Sequence, residues 1–483
     1  MPSPAPLLLV SLALLTALGC RDPEPGPRPD VLFLTIDTLR ADHLPLYGYE
    51  RDTMPHVAAL AGEAVTFDQA AVPRSSTRPS YASMLTGLYP YRHGVRSNWM
   101  ELHGDVATLP ERLRDEGYHT AAFVSNFAMV GELSGLAQGF DIYDDRVDER
   151  EGGARASYER SALRTVEAIL EWLASDPPRP FFLLVNLIDP HGPYRPPPPW
   201  RGLFESETSR PLEPALIPPY QRIDGSTDFY EYVDRYDGEI RYADEALGLL
   251  IKELRGRGLW DDALVVFTAD HGEALGEHGV YFEHHVHLFE ETVRVPFLVR
   301  LPRGQAGGTR VDTLASPLDL VPTVFDFLGI SAKASLDGRS LRPILEGAPD
   351  PERTLLLEFP AAATPGATHP DVWALRTATH KLVRVTGPLG AIRQQVVYDL
   401  RVDPLEQQAR SLDPDDPVHR RLAEELDRKL AQVEEFELPF PVTEYMMPFE
   451  DREAFVEGRA RGRVMKELTP DQAERLRALG YVE

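Results

Sequence analysis

Cysteine is almost absent from this chain of 483 residues, which contains only one, Cys20. No intrachain disulfide can form, so the stability of the fold has to come from a hydrophobic core. Hydrophobic residues make up 43% of the sequence, and its length is enough to bury such a core in two or three domains.

Basic residues are scarce relative to acidic ones. The chain has 50 Lys and Arg against 76 Asp and Glu, which gives a formal net charge of −26. Most of such a surface repels a phosphate backbone, so we expect no nucleic-acid partner. An anionic ester can still bind where a metal ion or histidines reverse the local charge.

The apolar run near the start is short. Residues 7–18 are apolar or small, too few to span a membrane, and are typical of a signal peptide. Gly19-Cys20 follows and is similar to the cleavage site of a bacterial lipoprotein. We therefore expect a lipoprotein signal peptide at 1–20, lipidation of Cys20, a Pro-rich linker at 21–28, and a lipid-anchored protein in the periplasm or on the cell surface. The alternative is an ordinary signal peptide with an incidental Cys20.

Short apolar runs predict strands that are buried on both faces of a parallel sheet. They lie at residues 31–36, 120–124, 181–187 and 263–268. Helical patterns separate them, at residues 109–116, 158–174 and 232–255. This alternation indicates an α/β fold with a mostly parallel central sheet flanked by helices.

Ligand-type residues follow several of these strands. They are Asp37, Asp189, His191, Asp270 and His271. An Asp after a single strand is commonly a turn residue or a helix cap. Because ligands of such sheets bind outside the carboxyl ends of the strands, the repeated pattern predicts one shared site there.

Residues 72–87, VPRSSTRPSYASMLTG, predict a loop that bends into a helix capped by Gly87. Pro79 suits the first turn of a helix, which places Thr77 just before that turn. The unpaired N–H groups of a helix start attract an anion. An anionic substrate and a nucleophile can therefore meet at Thr77.

These motifs resemble the sulfatase family of the alkaline phosphatase superfamily. The family signature C/S-x-P-S-R falls on residues 77–81, and its later T-G falls on residues 86–87. Thr77 stands where the family carries the Cys or Ser that is oxidised to formylglycine, and Tyr81 stands where it carries Arg. The resemblance implies a variant that attacks with an unmodified hydroxyl, as relatives acting on phosphodiesters or phosphonates do.

The resemblance also implies a metal site. Asp37, Asp270 and His271 match metal ligands of the family, Thr77 joins them, and Thr38 replaces a second aspartate ligand. The expected cofactor is a divalent metal, Zn, Mn or Ca. The imidazole ligand and the lost carboxylate favour Zn²⁺ or Mn²⁺ without choosing between them.

Further residues match positions that contact the substrate. His191 lies in D-P-H-x-P-Y, where the histidine contacts the ester or its leaving group, and an active-site lysine of the family aligns with His285 or, alternatively, His284. These histidines would protonate the leaving oxygen or hold a second cation. The candidate substrate-binding residues are Asn98, which matches an asparagine of phosphonate monoester hydrolases, Arg78 and Tyr81. Arg78 could instead be a salt-bridge partner at the surface.

The resemblance covers residues 29–410 and implies a catalytic domain at 29–345 and a smaller antiparallel sheet at 346–412. Amphipathic patterns predict a helical tail at 413–483. The implied function is metal-dependent hydrolysis of a small or glycan-linked sulfate, phosphate or phosphonate ester. The alternatives are an envelope phospho-alcohol transferase and an inactive fold that binds anionic glycans.

Overall fold

The computed structural model describes residues 28–147, 159–223, 225–360, 370–387 and 391–435. Up to residue 315, the strands are, in chain order, β1 (Val31–Ile36), β2 (Val65–Ala70), β3 (His119–Phe123), β4 (Ile142–Asp144), β5 (Phe181–Leu187), β6 (Leu264–Ala269), β7 (Ala274–Leu275), β8 (Tyr281–Glu283), β9 (Phe297–Arg300) and β10 (Arg310–Ala315).

Eight of these strands form one mixed sheet, in the order β10-β2-β9-β6-β1-β5-β3-β4. β9 runs antiparallel to β2 and β6, whereas the other neighbouring pairs are parallel. β7 and β8 form a separate two-stranded sheet. The four predicted strands are confirmed, within one residue, as β1, β3, β5 and β6, which lie side by side in this sheet.

Up to residue 345, the α-helices are α1 (Pro55–Ala61), α2 (Thr77–Thr86), α3 (Pro90–His93), α4 (Leu109–Asp115), α5 (Gly131–Ser134), α6 (Ala162–Ala174), α7 (Phe229–Gly256), α8 (Glu290–Val293), α9 (Leu320–Leu328) and α10 (Arg342–Leu345). The sequence predicts α4, α6 and α7. Side chains fix two of their starts: Thr108 and Glu111 form a capping box on α4, and Asp228 accepts a hydrogen bond from the Tyr230 amide on α7.

Helices cover both faces of the central sheet. Every residue of β1, β5 and β6 is buried, and successive side chains of a strand point to opposite faces. α4 and α6 pack against β3, and α1 packs against β9. The predicted α/β fold with a mostly parallel sheet is therefore confirmed.

A second, antiparallel sheet follows in the chain. Its strands are β11 (Leu355–Phe359), β12 (Asp371–Arg376), β13 (His380–Thr386), β14 (Ile392–Asp399) and β15 (Arg410–Ser411). The last described helix, α11 (Pro417–Glu435), packs on β12 and β13. Leu422 and Leu426 of α11 are buried in one cluster with Leu375, Leu382 and Val397 of the sheet. The smaller C-terminal sheet is confirmed, whereas the exact domain boundaries stay a prediction.

Buried ion pairs connect the second sheet to the start of α8, and Arg376 Nη2 also donates to Gln69 Oε1 of β2 at 2.7 Å. Arg376 Nη2 of β12 lies 2.8 Å from Glu290 Oε2 at the start of α8. Lys381 Nζ of β13 lies 3.0 Å from Glu290 Oε1 and 2.9 Å from Glu406 Oε2. Burial opposes ionisation of Glu290, but Arg376 and Lys381 lower the pKa of its carboxyl. The two sheets are thus joined by a charged network.

Some expectations fall on other parts of the chain. The signal peptide with Cys20, nearly all of the linker and the tail beyond residue 435 lie outside the described residues. Among the residues that the structure describes, no helix combines the length and the apolar character needed to cross a membrane.

Candidate active site

Two neighbouring strands bring acidic side chains to the same edge of the sheet. Asp37 directly follows β1 and Asp270 directly follows β6. The two strands are parallel and pair Ile36 with Ala269, so the aspartates lie side by side, and both are fully buried. Asp189 has a different role, because its carboxylate accepts a hydrogen bond from the Ala162 amide at the start of α6.

Thr77 enters the site as the first residue of α2. We expected it just before the first turn, but the helix includes it, and Pro79 is the third residue of the helix. At the other end, Gly87 adopts the left-handed conformation with φ 70°, as predicted for the cap. Thr77 is fully buried, and its Oγ1 lies 3.4 Å from His271 Nε2. The predicted nucleophile therefore contacts a predicted metal ligand.

Four groups have the spacing of ligands around one cation. His271 Nε2 lies 3.5 Å from Asp270 Oδ2 and 3.9 Å from Asp37 Oδ1, besides 3.4 Å from Thr77 Oγ1. Ligands at about 2.1 Å from a tetrahedral ion stand about 3.4 Å apart. His271 Nδ1 lies 2.9 Å from the Gly272 carbonyl oxygen and carries the proton, so the Nε2 lone pair faces the other three groups.

The negative charges of Asp37 and Asp270 favour a bound cation. Burial, and then the neighbouring Asp270 carboxylate, raise the pKa of Asp37 well above its usual range. Burial likewise raises the pKa of Asp270 to about 7. Asp37 Oδ1 is buried and accepts no hydrogen bond from any described residue. Two adjacent buried carboxylates with an orphaned oxygen fit a divalent metal, and the imidazole fits Zn²⁺ or Mn²⁺.

Four histidines gather around this centre. Ring centroids lie 4.6 Å apart for His271 and His284, 3.9 Å for His284 and His285, and 5.0 Å for His191 and His284. Burial lowers the pKa of His191 to about 4. Burial also lowers the pKa of His284 and His285 well below the usual range, and neighbouring imidazoles lower both further. The imidazoles are therefore neutral near pH 7.

Each of these imidazoles is oriented through Nδ1. The acceptors are the Gly192 carbonyl for His191 at 2.9 Å, the Glu273 carboxylate for His284 at 3.0 Å and the Ser75 carbonyl for His285 at 3.0 Å. A carbonyl oxygen can only accept a hydrogen bond, so Nδ1 of His191 and of His285 carries the proton and Nε2 presents a lone pair. The histidines can thus act as proton acceptors or metal ligands.

Two site residues adopt a left-handed backbone conformation that is uncommon outside glycine. Thr38 has φ 51° and His285 has φ 72°. The conformation of Thr38 directs its amide to Asp270 Oδ1 at 3.2 Å, while its carbonyl accepts the Tyr236 hydroxyl at 2.7 Å. Such conformations persist where the surrounding structure holds them, which is common at functional sites.

The three predicted substrate-binding residues have different surroundings. Asn98 Oδ1 accepts the Arg78 amide at 2.8 Å, and its buried Nδ2 donates to no described residue, which suits an anion. The Arg78 side chain is fully buried rather than at the surface, and its guanidinium donates to main-chain carbonyls, at 2.9 Å for Ala128 and 3.2 Å for Met100. Contact of Arg78 with a substrate stays a prediction.

Tyr81 lies below the aspartates. Its hydroxyl bonds to Thr35 Oγ1 at 2.5 Å and accepts the Asn186 amide at 2.9 Å. Burial, and then Asp270 and Asp37, raise the pKa of Tyr81. Tyr81 therefore fixes α2 against β1 and β5 as a neutral group, and its predicted substrate contact is untested.

Sequence reasoning missed Asn126 as a site residue. It follows β3, and its Nδ2 donates to Asp37 Oδ2, while its Oδ1 accepts the Ala128 amide at 2.7 Å. Its position just beyond a strand end was the available signal, shared with Asp37 and Asp270.

Comparison with known proteins identifies the family. The family described as Sulfatase matches residues 29–330. This chain belongs to the sulfatase family. The family described as N-sulphoglucosamine sulphohydrolase, C-terminal, matches residues 276–435, which include the second sheet of this sulfatase-family chain. The resemblance inferred from the motifs is thereby confirmed, and sulfatase-family enzymes are metal-dependent, in agreement with the ligand spacing.

Individual relatives cover most of the chain. An ulvan-active sulfatase of Formosa agariphila is 27% identical over 454 residues, which cover 86% of this chain and 85% of the relative. A choline-sulfatase of Rhizobium meliloti is 29% identical over 445 residues, covering 81% and 84%. The crystal structure of a phosphonate monoester hydrolase of Agrobacterium radiobacter shares the fold, with a TM-score of 0.67, 21% identity and coverage of 84% and 95%.

Proposed function

We propose that this sulfatase-family protein is a metal-dependent hydrolase with Thr77 as its nucleophile, and that phosphate or phosphonate esters suit it at least as well as sulfate esters. The observation that carries the proposal is the Thr77 hydroxyl, 3.4 Å from His271 Nε2 and beside two buried aspartates. A threonine at this position cannot become formylglycine, so the formylglycine route to sulfate release is closed.

Asp37, Asp270, His271 and Thr77 would hold the cation. When bound there, Zn²⁺ or Mn²⁺ would lower the pKa of the Thr77 hydroxyl and neutralise charge on the transferred group. Asn126 holds one oxygen of Asp37, and the Thr38 and His271 amides hold one oxygen of Asp270 at 3.2 and 2.8 Å. These bonds orient the two carboxylates, whose other oxygens, Asp37 Oδ1 and Asp270 Oδ2, lie 3.9 and 3.5 Å from His271 Nε2.

The reaction then has two steps. In the first, Thr77 Oγ1 bonds to the phosphorus or sulfur atom, the bond from that atom to the ester oxygen breaks, and the alcohol leaves with a proton. In the second, a water oxygen attacks the same atom and the bond to Thr77 breaks, which releases phosphate, phosphonate or sulfate and restores the hydroxyl.

We assign proton transfer to His191, with His284 and His285 as alternatives. Because His191 is neutral and its Nδ1–H is held by the Gly192 carbonyl, Nε2 can accept the proton that Thr77 loses. The resulting imidazolium can then give this proton to the departing alcohol oxygen. The Asn98 amide group would meanwhile donate to an oxygen of the ester.

The test is a panel of nitrophenyl esters offered to the metal-loaded full chain: a sulfate, a phosphate monoester, a phosphate diester and a phosphonate monoester. We expect phosphoryl esters to be cleaved, activity to disappear with a chelator and to return with Zn²⁺ or Mn²⁺. Thr77→Ala should lower the rate by about 10⁴-fold or more. Thr86→Ala, at the far end of the same helix, is the matched control and should retain activity.

Other outcomes would revise the proposal. Preferential cleavage of the sulfate ester would overturn the preference for phosphoryl groups, and ulvan fragments and choline sulfate, suggested by the names of two relatives, would be the next substrates. Transfer of the phosphoryl group to an added alcohol instead of water would indicate a transferase. Bound metal without turnover of any ester would indicate a binding protein.

We also propose that the protein is exported and anchored through a lipid on Cys20. The support is the apolar run at 7–18 followed by Gly19-Cys20 and a Pro-rich stretch. Bacteria expressing the chain can be fed a clickable fatty acid. The wild-type chain should be labelled and Cys20→Ser should not. An unlabelled wild-type chain would favour the ordinary signal peptide.

A further inference from the structure

We propose that the guanidinium group of Arg74 binds oxygens of the phosphoryl or sulfuryl group that the enzyme transfers. The inference deepens the proposed function and rests on it for the place of the ester. Arg74 lies three residues before Thr77 and is 2% exposed. Its carbonyl accepts the Ser80 hydroxyl of α2 at 2.8 Å. The backbone of Arg74 is therefore fixed to the helix that carries the nucleophile.

The guanidinium of Arg74 has no carboxylate partner among the described residues. Its one hydrogen bond to them runs from Nη1 to the Glu358 carbonyl at 3.2 Å, and its buried Nε has no acceptor there. Four other buried arginines each bind a carboxylate at 2.7–2.9 Å, namely Arg40, Arg160, Arg300 and Arg376. Arg74 thus differs from these four, although the chain has a large excess of acidic residues.

The acid beside Arg74 is already bound to another arginine. Glu358 Oε1 accepts Arg96 Nε at 2.7 Å, so one carboxylate faces two guanidinium groups and the three side chains keep a net positive charge. Burial lowers the pKa of Arg74 to about 9, while Glu358 raises it and Arg96 lowers it. Arg74 is therefore a cation at pH 7. The Phe359 ring, with its centroid 4.5 Å from Cζ of Arg74, attracts a cation but carries no net charge.

Arg74 also lies beside the histidines of the site. Burial and His271 lower the pKa of His285, and the charge of Arg74 lowers it further. The carbonyl of Ser75, the residue after Arg74, accepts His285 Nδ1 at 3.0 Å. Because the imidazoles are neutral, they do not balance the charge of a phosphoryl or sulfuryl group. Arg74 adds a positive charge on this side of the site.

The substrate supplies the anion that Arg74 lacks. Nε and Nη2 form one edge of the guanidinium, and neither donates to a described residue, whereas Nη1 on the other side is held by Glu358. Such an edge binds two oxygens of one anion through parallel N–H bonds. A buried charge without a counter-ion destabilises the folded protein. Arg74 therefore lowers the stability of the ligand-free protein, and binding of the substrate offsets this loss.

The first test is thermal unfolding of the metal-loaded full chain, without and with inorganic phosphate. Arg74→Met removes the charge and keeps an unbranched stem. We expect it to melt above the wild type without phosphate, and to lose the rise in Tm that phosphate gives the wild type. Arg300→Met is the control, because Arg300 is equally buried but bound to Glu63. It should melt below the wild type and still be stabilised by phosphate.

The second test is kcat/KM for two nitrophenyl phosphate esters, one plain and one with a carboxylate on the ring. Arg74→Met should lower kcat/KM by about 10- to 100-fold for both, as the loss of charged hydrogen bonds implies. Arg74→Lys keeps the charge but not the planar edge, so it should lose less. A loss confined to the carboxylate-bearing ester would overturn the proposal, since Arg74 would then bind a different group of the substrate.

Stabilisation of Arg74→Met by phosphate to the wild-type extent, or an unchanged kcat/KM for both esters, would also overturn the proposal. So would a melting temperature below wild type in both Arg74 variants, because a packing defect would then explain the loss. The phosphate shift needs no turnover and separates the two hypotheses. A wild type that cleaves no ester but loses the shift in Arg74→Met keeps the anion site and removes the hydrolase function. Ester cleavage that Arg74→Met leaves unchanged does the reverse.

Discussion

Removal of the cation should make stability strongly dependent on pH, because it leaves two buried carboxylates uncompensated. Burial raises the pKa of Asp270 to about 7 from the ordinary 3.8. When folding raises the pKa of a carboxyl group, the folded protein favours the protonated form. The free energy of unfolding is therefore highest below the pKa that the group has in the unfolded chain, and it falls as the pH rises through the pKa that the group has in the folded protein. This difference in pKa lowers the free energy of unfolding by about 4 kcal/mol above pH 7, at about 1.4 kcal/mol per pKa unit.

This cost can be expressed as a melting temperature. At about 2.1 cal/mol/K per residue, a chain of 483 residues has an unfolding entropy of about 1 kcal/mol/K. The loss of about 4 kcal/mol then lowers Tm by about 4 °C. At pH 5 the Asp270 carboxyl is protonated in the folded protein and mostly ionised in the unfolded chain. The free energy of unfolding is then lowered by only about 2 kcal/mol.

The assay compares chelated wild-type protein with chelated Asp270→Asn by thermal unfolding at pH 5 and pH 8. Asparagine keeps an oxygen that can accept the Thr38 and His271 amides but carries no charge. We expect the variant to melt about 4 °C above the wild type at pH 8 and about 2 °C above it at pH 5. With excess Zn²⁺, the wild type should instead melt at a higher temperature than the variant. A variant that melts below chelated wild type at pH 8, or a gap that is the same at both pH values, would refute the reasoning.

Three further substitutions test other contacts. Asn126→Ala removes the amide that holds Asp37 and should weaken metal binding by about 10- to 100-fold in competition with a fluorescent chelator; unchanged affinity would make Asn126 a packing residue. Arg376→Met leaves the buried Glu290 with one cation fewer and should cost about 3–5 kcal/mol in urea unfolding, whereas no loss would argue against a joined pair of sheets. Leu426→Ala should cost about 2–5 kcal/mol by the same measurement if α11 packs as described, and an unchanged midpoint would contradict that packing.

The sequence predicts best what local chemistry decides. β1, β5 and β6 are recognisable because a strand buried on both faces is apolar at nearly every position. The parallel pairing of strands then brings residues beyond their ends together, which is why Asp37 and Asp270 could be expected in one site.

Other features depend on contacts between distant segments. Sequence does not show where a long side chain points, so the contacts of the Arg78 guanidinium with the carbonyls of Ala128 and Met100 could not be predicted, and its substrate contact stays a prediction. The left-handed conformation of Thr38 is likewise imposed by its surroundings, since a β-branched residue rarely adopts a positive φ. Asn126 became a site residue only through its contact with Asp37.

The central claim is that Thr77 forms a covalent bond to the group that it transfers. The most direct measurement is to quench the metal-loaded enzyme in acid during turnover of the ester that it cleaves fastest and to map the modified peptide by mass spectrometry. The account predicts a phosphoryl or sulfuryl adduct on Thr77, present in wild type and Thr86→Ala and absent from Thr77→Ala. Turnover by Thr77→Ala at the wild-type rate, with no adduct on Thr77 in wild type, would contradict the account.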